Sequence, residues 1–195
     1  MTIVGITGGI GSGKTTVSEM FKKLGVPIYN ADDEAKKLML KEPIKSQLIS
    51  LFGDQVYTKG QLNRALIRSA IFNNDEIRHK VNNIVHPQVG HHFKSWLENQ
   101  DSPYILKEAA IIFEEGLTQQ YDFIITVVAD KEKRIKRVLT RPGITRQMVQ
   151  DVMDKQWSDD KKISQSDFVI TNDSLVETEK KVNEIHLKLL KTLGA

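Results

Sequence analysis

Short apolar runs alternate along the chain with longer stretches whose apolar positions return every three or four residues. Ile3, Val4 and Ile6 form the first run, Val26-Pro27-Ile28-Tyr29 the second and Tyr104-Ile105-Leu106 the third. Phe123-Ile124-Ile125-Thr126-Val127-Val128 is the clearest, and Phe168-Val169-Ile170 is the fifth. Runs of this length, rich in β-branched and aromatic residues, predict buried strands. Val17, Met20, Phe21 and Leu24 fall at helical spacing before Gly25, and Val182, Ile185 and Leu189 form the stripe of a closing helix. Alternation of strands with helices predicts an α/β fold: a parallel sheet, covered on both faces and joined by right-handed crossovers.

The strands are unevenly spaced. Between the second and third lie helical sets at Ala35, Leu38 and Met39, at Leu48, Leu51 and Phe52, at Leu62, Ala65 and Leu66, at Val81, Ile84 and Val85, and at Val89, Phe93 and Trp96. This is too much chain for a simple crossover, so residues 32–102 are expected to form a helical insertion. Residues 131–165 are a second helical excursion dense in charge, and 139–165 within it are expected to act as a lid. The core then comprises 1–31, 103–138 and 166–195 of a single domain spanning 1–195, a length that allows one sizeable core.

Composition narrows the partners. With 28 basic and 25 acidic residues the net charge is only +3, so no surface is dedicated to nucleic acid, and a phosphate-rich small ligand fits better. There is no cysteine, which excludes disulfides and thiolate metal sites and suits a reducing compartment. The N-terminus lacks a basic leader, and no apolar run approaches the roughly 20 residues that span a bilayer. A soluble, cytoplasmic monomer is expected.

Gly8-Gly9-Ile10-Gly11-Ser12-Gly13-Lys14-Thr15 matches G-x-x-x-x-G-K-[ST] between a predicted strand and a predicted helix, the context that this phosphate-binding loop requires. Glycines let the backbone curl so that N–H groups meet phosphate oxygens, and the helix N-terminus favours negative charge. Gly9 through Thr16 are therefore the expected ATP cradle, with Lys14 on the β- and γ-phosphates and the Thr15 hydroxyl on Mg²⁺. A GTPase would carry Asn-Lys-x-Asp after a late strand, where this chain has Thr171-Asn172-Asp173-Ser174. Nor do Val128-Ala129-Asp130 or Lys107-Glu108 match the strand-end carboxylate pair of a motor ATPase.

At the end of the second strand stands Asn30-Ala31-Asp32-Asp33-Glu34, and carboxyl ends of parallel strands line the ligand crevice. Asn30 or Asp32 caps the helix expected to begin near Asp33, or Asp32 orients an acceptor hydroxyl, takes its proton and helps hold Mg²⁺; cap and base are compatible roles. Arg64 is either a solvated helix charge or a bidentate partner of an acceptor phosphate. His86, followed by Pro87, either donates to the acceptor or marks a helix boundary. Arg137 and Arg141, four residues apart, share a helix side from which charge can reach a transferring phosphate.

These motifs together resemble the dephospho-CoA kinase family over essentially the whole chain. The opening Ile6-Thr7-Gly8-Gly9-Ile10-Gly11-Ser12-Gly13-Lys14 is similar to that family's start, and Asn30-Ala31-Asp32 falls on its Asp-Ala-Asp, with Asn30 replacing the first acid. The resemblance implies a catalytic base at Asp32 beside Lys14 and Arg141. Leu62-Asn63-Arg64-Ala65-Leu66 with Ile71-Phe72, and Val85-His86-Pro87, resemble segments implying acceptor contacts from Arg64 and His86. Ala110-Ile111-Ile112-Phe113-Glu114 stands where the family has Pro-Leu-Leu-Phe-Glu, so Thr7 and Glu114 join the implied acceptor contacts. Asp167-Phe168-Val169-Ile170-Thr171-Asn172 implies Asn172 beside adenine, with Arg137 also on ATP. Asp159 and Asp160 depart from the basic residues common in the family's lid. The implied fold is a three-layer P-loop kinase with five parallel strands in order 2-3-1-4-5. The implied reaction is MgATP-dependent phosphorylation of the ribose 3′-hydroxyl of dephospho-CoA. Another small acceptor, such as a nucleoside monophosphate, and a nucleotide-binding module without turnover are the alternatives that the residues alone leave open.

Overall fold

The computed structural model describes residues 1–195, except for the side chains of Phe72 and Asn73; Phe72, one of the acceptor-side residues above, thus lies outside the described side chains. In chain order the elements are β1 (Thr2–Thr7), α1 (Lys14–Lys23), β2 (Ile28–Asn30), α2 (Ala31–Leu38), α3 (Ile44–Phe52), β3 (Tyr57–Thr58), β4 (Gln61–Leu62), α4 (Arg64–Asn73) and α5 (Asp75–Leu97). They continue as β5 (Tyr104–Glu108), β6 (Phe123–Val128), α6 (Lys131–Leu139), α7 (Arg146–Lys155), α8 (Asp159–Ile163), β7 (Phe168–Thr171) and α9 (Leu175–Leu193). They fall into two units, Met1–Asn30 with Asp101–Ala195, and Ala31–Gln100.

The first unit is built on a five-stranded sheet in the order β2-β5-β1-β6-β7, parallel throughout. Counting only these five strands, this is the 2-3-1-4-5 order of the P-loop kinases. Val4 and Ile6 alternate toward one face, where they pack with Leu106, Ile125, Val127 and Ile170 against Val17 and Phe21 of α1 and Val182, Ile185 and Leu189 of α9. The other face is covered by a cluster around Ile112, Phe113 and Ile124, and Ile135, Val138 and Val149 form a further cluster between α6 and α7. Because β1 pairs with β5 through Ile6↔Glu108 and with β6 through Thr7↔Thr126, the carboxyl ends of β1 and β5 finish at about one level, and β6 runs two residues further. The phosphate loop departs from that level.

The second unit packs α2, α3, α4 and α5 around Ile44, Leu48, Val56, Ile67, Val81 and Val85. Its one departure from an all-helical insertion is the β3–β4 hairpin. Tyr57-Thr58 and Gln61-Leu62 are too short to show periodicity, and the turn between them puts Lys59 and Gly60 at φ 52° and 75°, the positive pair that suits tight hairpins. Two boundaries also differ from the sequence-based expectation. α2 starts at Ala31, so Asp32 sits inside its first turn, where acidic groups favour the helix dipole, and does not cap it. α5 runs through Pro87 without a boundary at His86. Proline costs about 3 kcal/mol in a helix interior, and burial of Val81 and Val85 before it and Phe93 after it offsets that penalty.

β5 and α9 are joined by Tyr104 Oη and His186 Nδ1, 2.6 Å apart. Burial raises the Tyr104 phenol well above its ordinary range and lowers the His186 imidazole below its usual value. A depressed histidine gives stability that is fully present above the unfolded pKa, about 6.5, and is lost as pH falls through the lower folded value. Thermal unfolding should therefore show a melting temperature that declines on acidification, with the decline flattened in His186→Gln. Tyr104→Phe should cost about 1 kcal/mol, a shift of about 2–4 °C, at neutral pH.

Candidate active site

The phosphate loop is held by its carbonyls. Lys14 Nζ donates to Gly8 O at 2.9 Å, and Ser12 N to Gly9 O at 3.1 Å. Arg134 Nε donates to Ile10 O at 2.9 Å, Arg137 Nη1 to Gly11 O at 3.4 Å, and Asn172 Nδ2 to Ser12 O at 2.9 Å. In a trans peptide the N–H points opposite to the preceding C=O. Fixing the Ile10 and Ser12 carbonyls toward α6 and the end of β7 therefore turns the Gly11 and Gly13 N–H groups the other way, the arrangement that makes an anion cup. Ile10 N–H is itself taken by Gln156 Oε1 at 2.8 Å.

Glycine is required where these clamps press closest. A Cβ on Gly9 would lie 2.1 Å from Arg134 Nη2, and one on Gly13, whose φ is +92°, would lie 2.0 Å from Asn172 Nδ2. Asn172 is buried; its Oδ1 accepts from Thr178 Oγ1 at 3.2 Å, and its carbonyl accepts from Arg137 Nη2 at 2.7 Å. Thus Arg137 and Asn172, both expected on ATP, are brought to the loop and to each other. Arg141 lies exposed just past α6, and Thr16 lies exposed on α1.

A residue set aside on sequence alone stands beside the loop. Glu108, buried at the end of β5, accepts from Thr15 Oγ1 at 3.1 Å and from Ser18 Oγ at 3.0 Å. The signal was its place at the end of an apolar strand. What was missing was the sheet order that makes β5 the neighbour of β1. A hydroxyl next to a carboxylate is a hard-oxygen donor set suited to Mg²⁺. Among the described residues no group of three or more His, Cys, Asp or Glu gathers around a metal, so such an ion would draw most ligands from phosphate and water.

Residues 2–178 match the family described as dephospho-CoA kinase. The chain belongs to the dephospho-CoA kinase family. A dephospho-CoA kinase from Bacteroides fragilis is 37% identical over 172 residues, 87% of this chain and 84% of its own. Another from Mannheimia succiniciproducens is 33% identical over 195 residues, covering 96% and 91%. A crystal structure from Thermus thermophilus shares 28% identity, with a TM-score of 0.89 over 97% of each chain. A shikimate kinase from Bacteroides thetaiotaomicron, 15% identical with a TM-score of 0.53 over 96% and 98%, shares the fold alone.

The residues that resemble the acceptor side of dephospho-CoA kinases are distributed over both units. Thr7 is fully buried at the end of β1, donating to Ala110 O at 3.2 Å. Glu114 accepts from Trp157 N at 3.0 Å and lies 2.8 Å from the Nζ of the fully buried Lys162, so it ties the stretch after β5 to α8. In the second unit Asp32 is exposed in the first turn of α2. Arg64, also exposed, opens α4 next to its capping residue Asn63, and His86 is exposed on α5.

Gly13→Ala should weaken nucleotide binding at least ~10-fold and lower the melting temperature, since overpacking of ~1–3 kcal/mol adds to left-handed strain. Gly143→Ala, with φ +72° but nothing within 4 Å of the new Cβ, should show only the strain, about 1 kcal/mol. Calorimetric titration and thermal unfolding of the two variants make the comparison.

Proposed function

We infer that this enzyme transfers the γ-phosphate of ATP to the ribose 3′-hydroxyl of dephospho-CoA, giving coenzyme A and ADP, the last step of coenzyme A synthesis. The observation that carries the reading is the clamped phosphate loop with Lys14 across it, in a chain of this family. The new bond joins the hydroxyl oxygen to the γ-phosphorus as the bond from that phosphorus to the β–γ bridging oxygen breaks. The hydroxyl proton passes to Asp32, and ADP leaves with the bridging oxygen. Phosphoryl transfer asks a protein chiefly for positioning and charge compensation, and the proposed roles follow that division.

The Gly11 and Gly13 N–H groups, with Gly9, Ile10, Ser12 and Thr16 completing the loop, receive the phosphates. Lys14 exchanges Gly8 O for β- and γ-phosphate oxygens, and Arg137 and Asn172 flank the nucleotide. Mg²⁺ held by Thr15 and Asp32, with Glu108 orienting the Thr15 hydroxyl, would neutralise charge on the β- and γ-phosphates. Thr7, Arg64, His86 and Glu114 contact the acceptor. For Glu114 this falls to Oε2, which is buried without a hydrogen-bond partner among the described residues. Residues 139–165 serve as the lid that brings Arg141 to the transferring group and excludes water. Its far end is anchored, since Gln156, Trp157 and Lys162 are bonded to the core, so closure would pivot there. The enzyme is proposed to act as a monomer in the cytoplasm. No helix among the described residues is long and apolar enough to cross a membrane.

ADP release measured with and without dephospho-CoA tests the reading: turnover should require the acceptor, and adenosine monophosphate or shikimate should not replace it. Acceptor-independent release would overturn it in favour of an ATPase. Asp32→Asn should retain ATP affinity within about threefold while turnover falls at least ~100-fold. Unchanged turnover in that variant would remove Asp32 from the chemistry.

A further inference from the structure

Arg134 takes no part in the phosphate contacts described above, yet it is one of the few buried cations of the first unit, with a side chain only 9% exposed. Its described side-chain hydrogen bonds run to two places. Nε donates to Ile10 O at 2.9 Å, and Nη1 donates to both carboxylate oxygens of Asp159, at 3.0 and 2.8 Å. Nη2 lies over Gly9, where only a glycine leaves room for it. From the α7–α8 connection Gln156 takes the Ile10 N–H. Both backbone groups of Ile10 are thus bonded to side chains from outside the loop.

We propose that Arg134, aligned by Asp159, is a positioning residue of the donor site: it fixes the Ile10–Gly11 peptide so that the Gly11 N–H is presented to ATP phosphate. A planar guanidinium can satisfy Ile10 O with one nitrogen and fork a carboxylate with another, whereas a lysine ammonium would have to reach both acceptors from a single nitrogen. Asp159 does two things here. It offsets the cost of burying the cation, and it removes the rotamers in which Arg134 would release Ile10 O. The acidic residue at 159 is therefore a working part of the nucleotide site, acting on the loop through Arg134.

The proposal concerns nucleotide binding and is independent of which acceptor is used. Calorimetric titration of the full chain with MgATP decides it, and steady-state kinetics adds the separation of the two substrates. Arg134→Gln should weaken MgATP binding about 10-fold to 100-fold, and Arg134→Lys should recover only part of that loss, because the bond to Ile10 O joins a charged donor to a backbone acceptor. Asp159→Asn should weaken binding about threefold to fivefold. The double variant Arg134→Gln with Asp159→Asn should match Arg134→Gln alone, since the residues act as one unit. In kinetics KM for ATP should rise while KM for the acceptor stays constant. Binding of MgATP within twofold of the parent by Arg134→Gln or Asp159→Asn, with unfolding temperature unchanged, would overturn the proposal. An equal rise in both KM values would overturn it too, reducing the pair to a fold-wide stabiliser. Should Arg134→Gln fail to fold, Asp159→Asn carries the test, because it keeps the side-chain shape and one acceptor oxygen.

Discussion

The carbonyl groups of residues 8–12 are all tied to partners, and the donor site depends on that constraint. A loop rich in glycine has many backbone conformations, and ordering it on ligand binding would be entropically expensive. Here the ordering is done by folding. Lys14, Arg134, Arg137 and Asn172 each donate to a loop carbonyl, and peptide planarity converts those fixed carbonyls into directed N–H groups. The glycines are needed twice over: for positive φ at Gly11 and Gly13, and for the close approach of Arg134 and Asn172.

The donating side chains are themselves held. Asn172 is fixed by Thr178 and by Arg137, Arg134 by Asp159, and the segment carrying Gln156 and Asp159 by the pairing of Glu114 with Lys162 and Trp157 N–H. Phe113 stacks on Trp157 with ring centroids 5.9 Å apart, and Lys161 Nζ sits 3.4 Å from the centroid of the same indole. A buried Lys–Glu pair adds little net stability compared with apolar packing, but losing one partner strands a charge. Such a pair enforces one arrangement of α8 against the core, and the phosphate loop is fixed through that arrangement.

Most of the sheet was legible because each strand is a short apolar run, and the phosphate loop because its spacing and its strand–helix context coincide. What remained hidden depends on neighbours that are distant in sequence. Glu108 looked like an unremarkable strand end until the sheet order put β5 beside β1 and its carboxylate against Thr15. Asp159 read as a departure from a family pattern, with no hint that a buried guanidinium 25 positions earlier lies within bonding distance. The β3–β4 hairpin left no periodic trace, and Pro87 suggested a break that the packing of α5 overrides. Local propensity reads local geometry; it is silent where long-range contacts supply the larger energy.

The two units differ in how their candidate residues are supported. On the donor side Lys14, Glu108, Arg137 and Asn172 are enclosed in hydrogen bonds and sit at strand ends or helix faces whose positions the sheet register sets. Asp32, Arg64 and His86, proposed for the acceptor side, are exposed on helices. Exposed groups gain most of their order from the ligand that they bind, whereas preorganised groups lose little on binding. In a kinase this division has a use. On the roles proposed above, a rigid cup holds the many charges of MgATP in one geometry, while groups on exposed helix faces take their final order from the acceptor. Were competent alignment to need both substrates in this way, transfer to water would be limited.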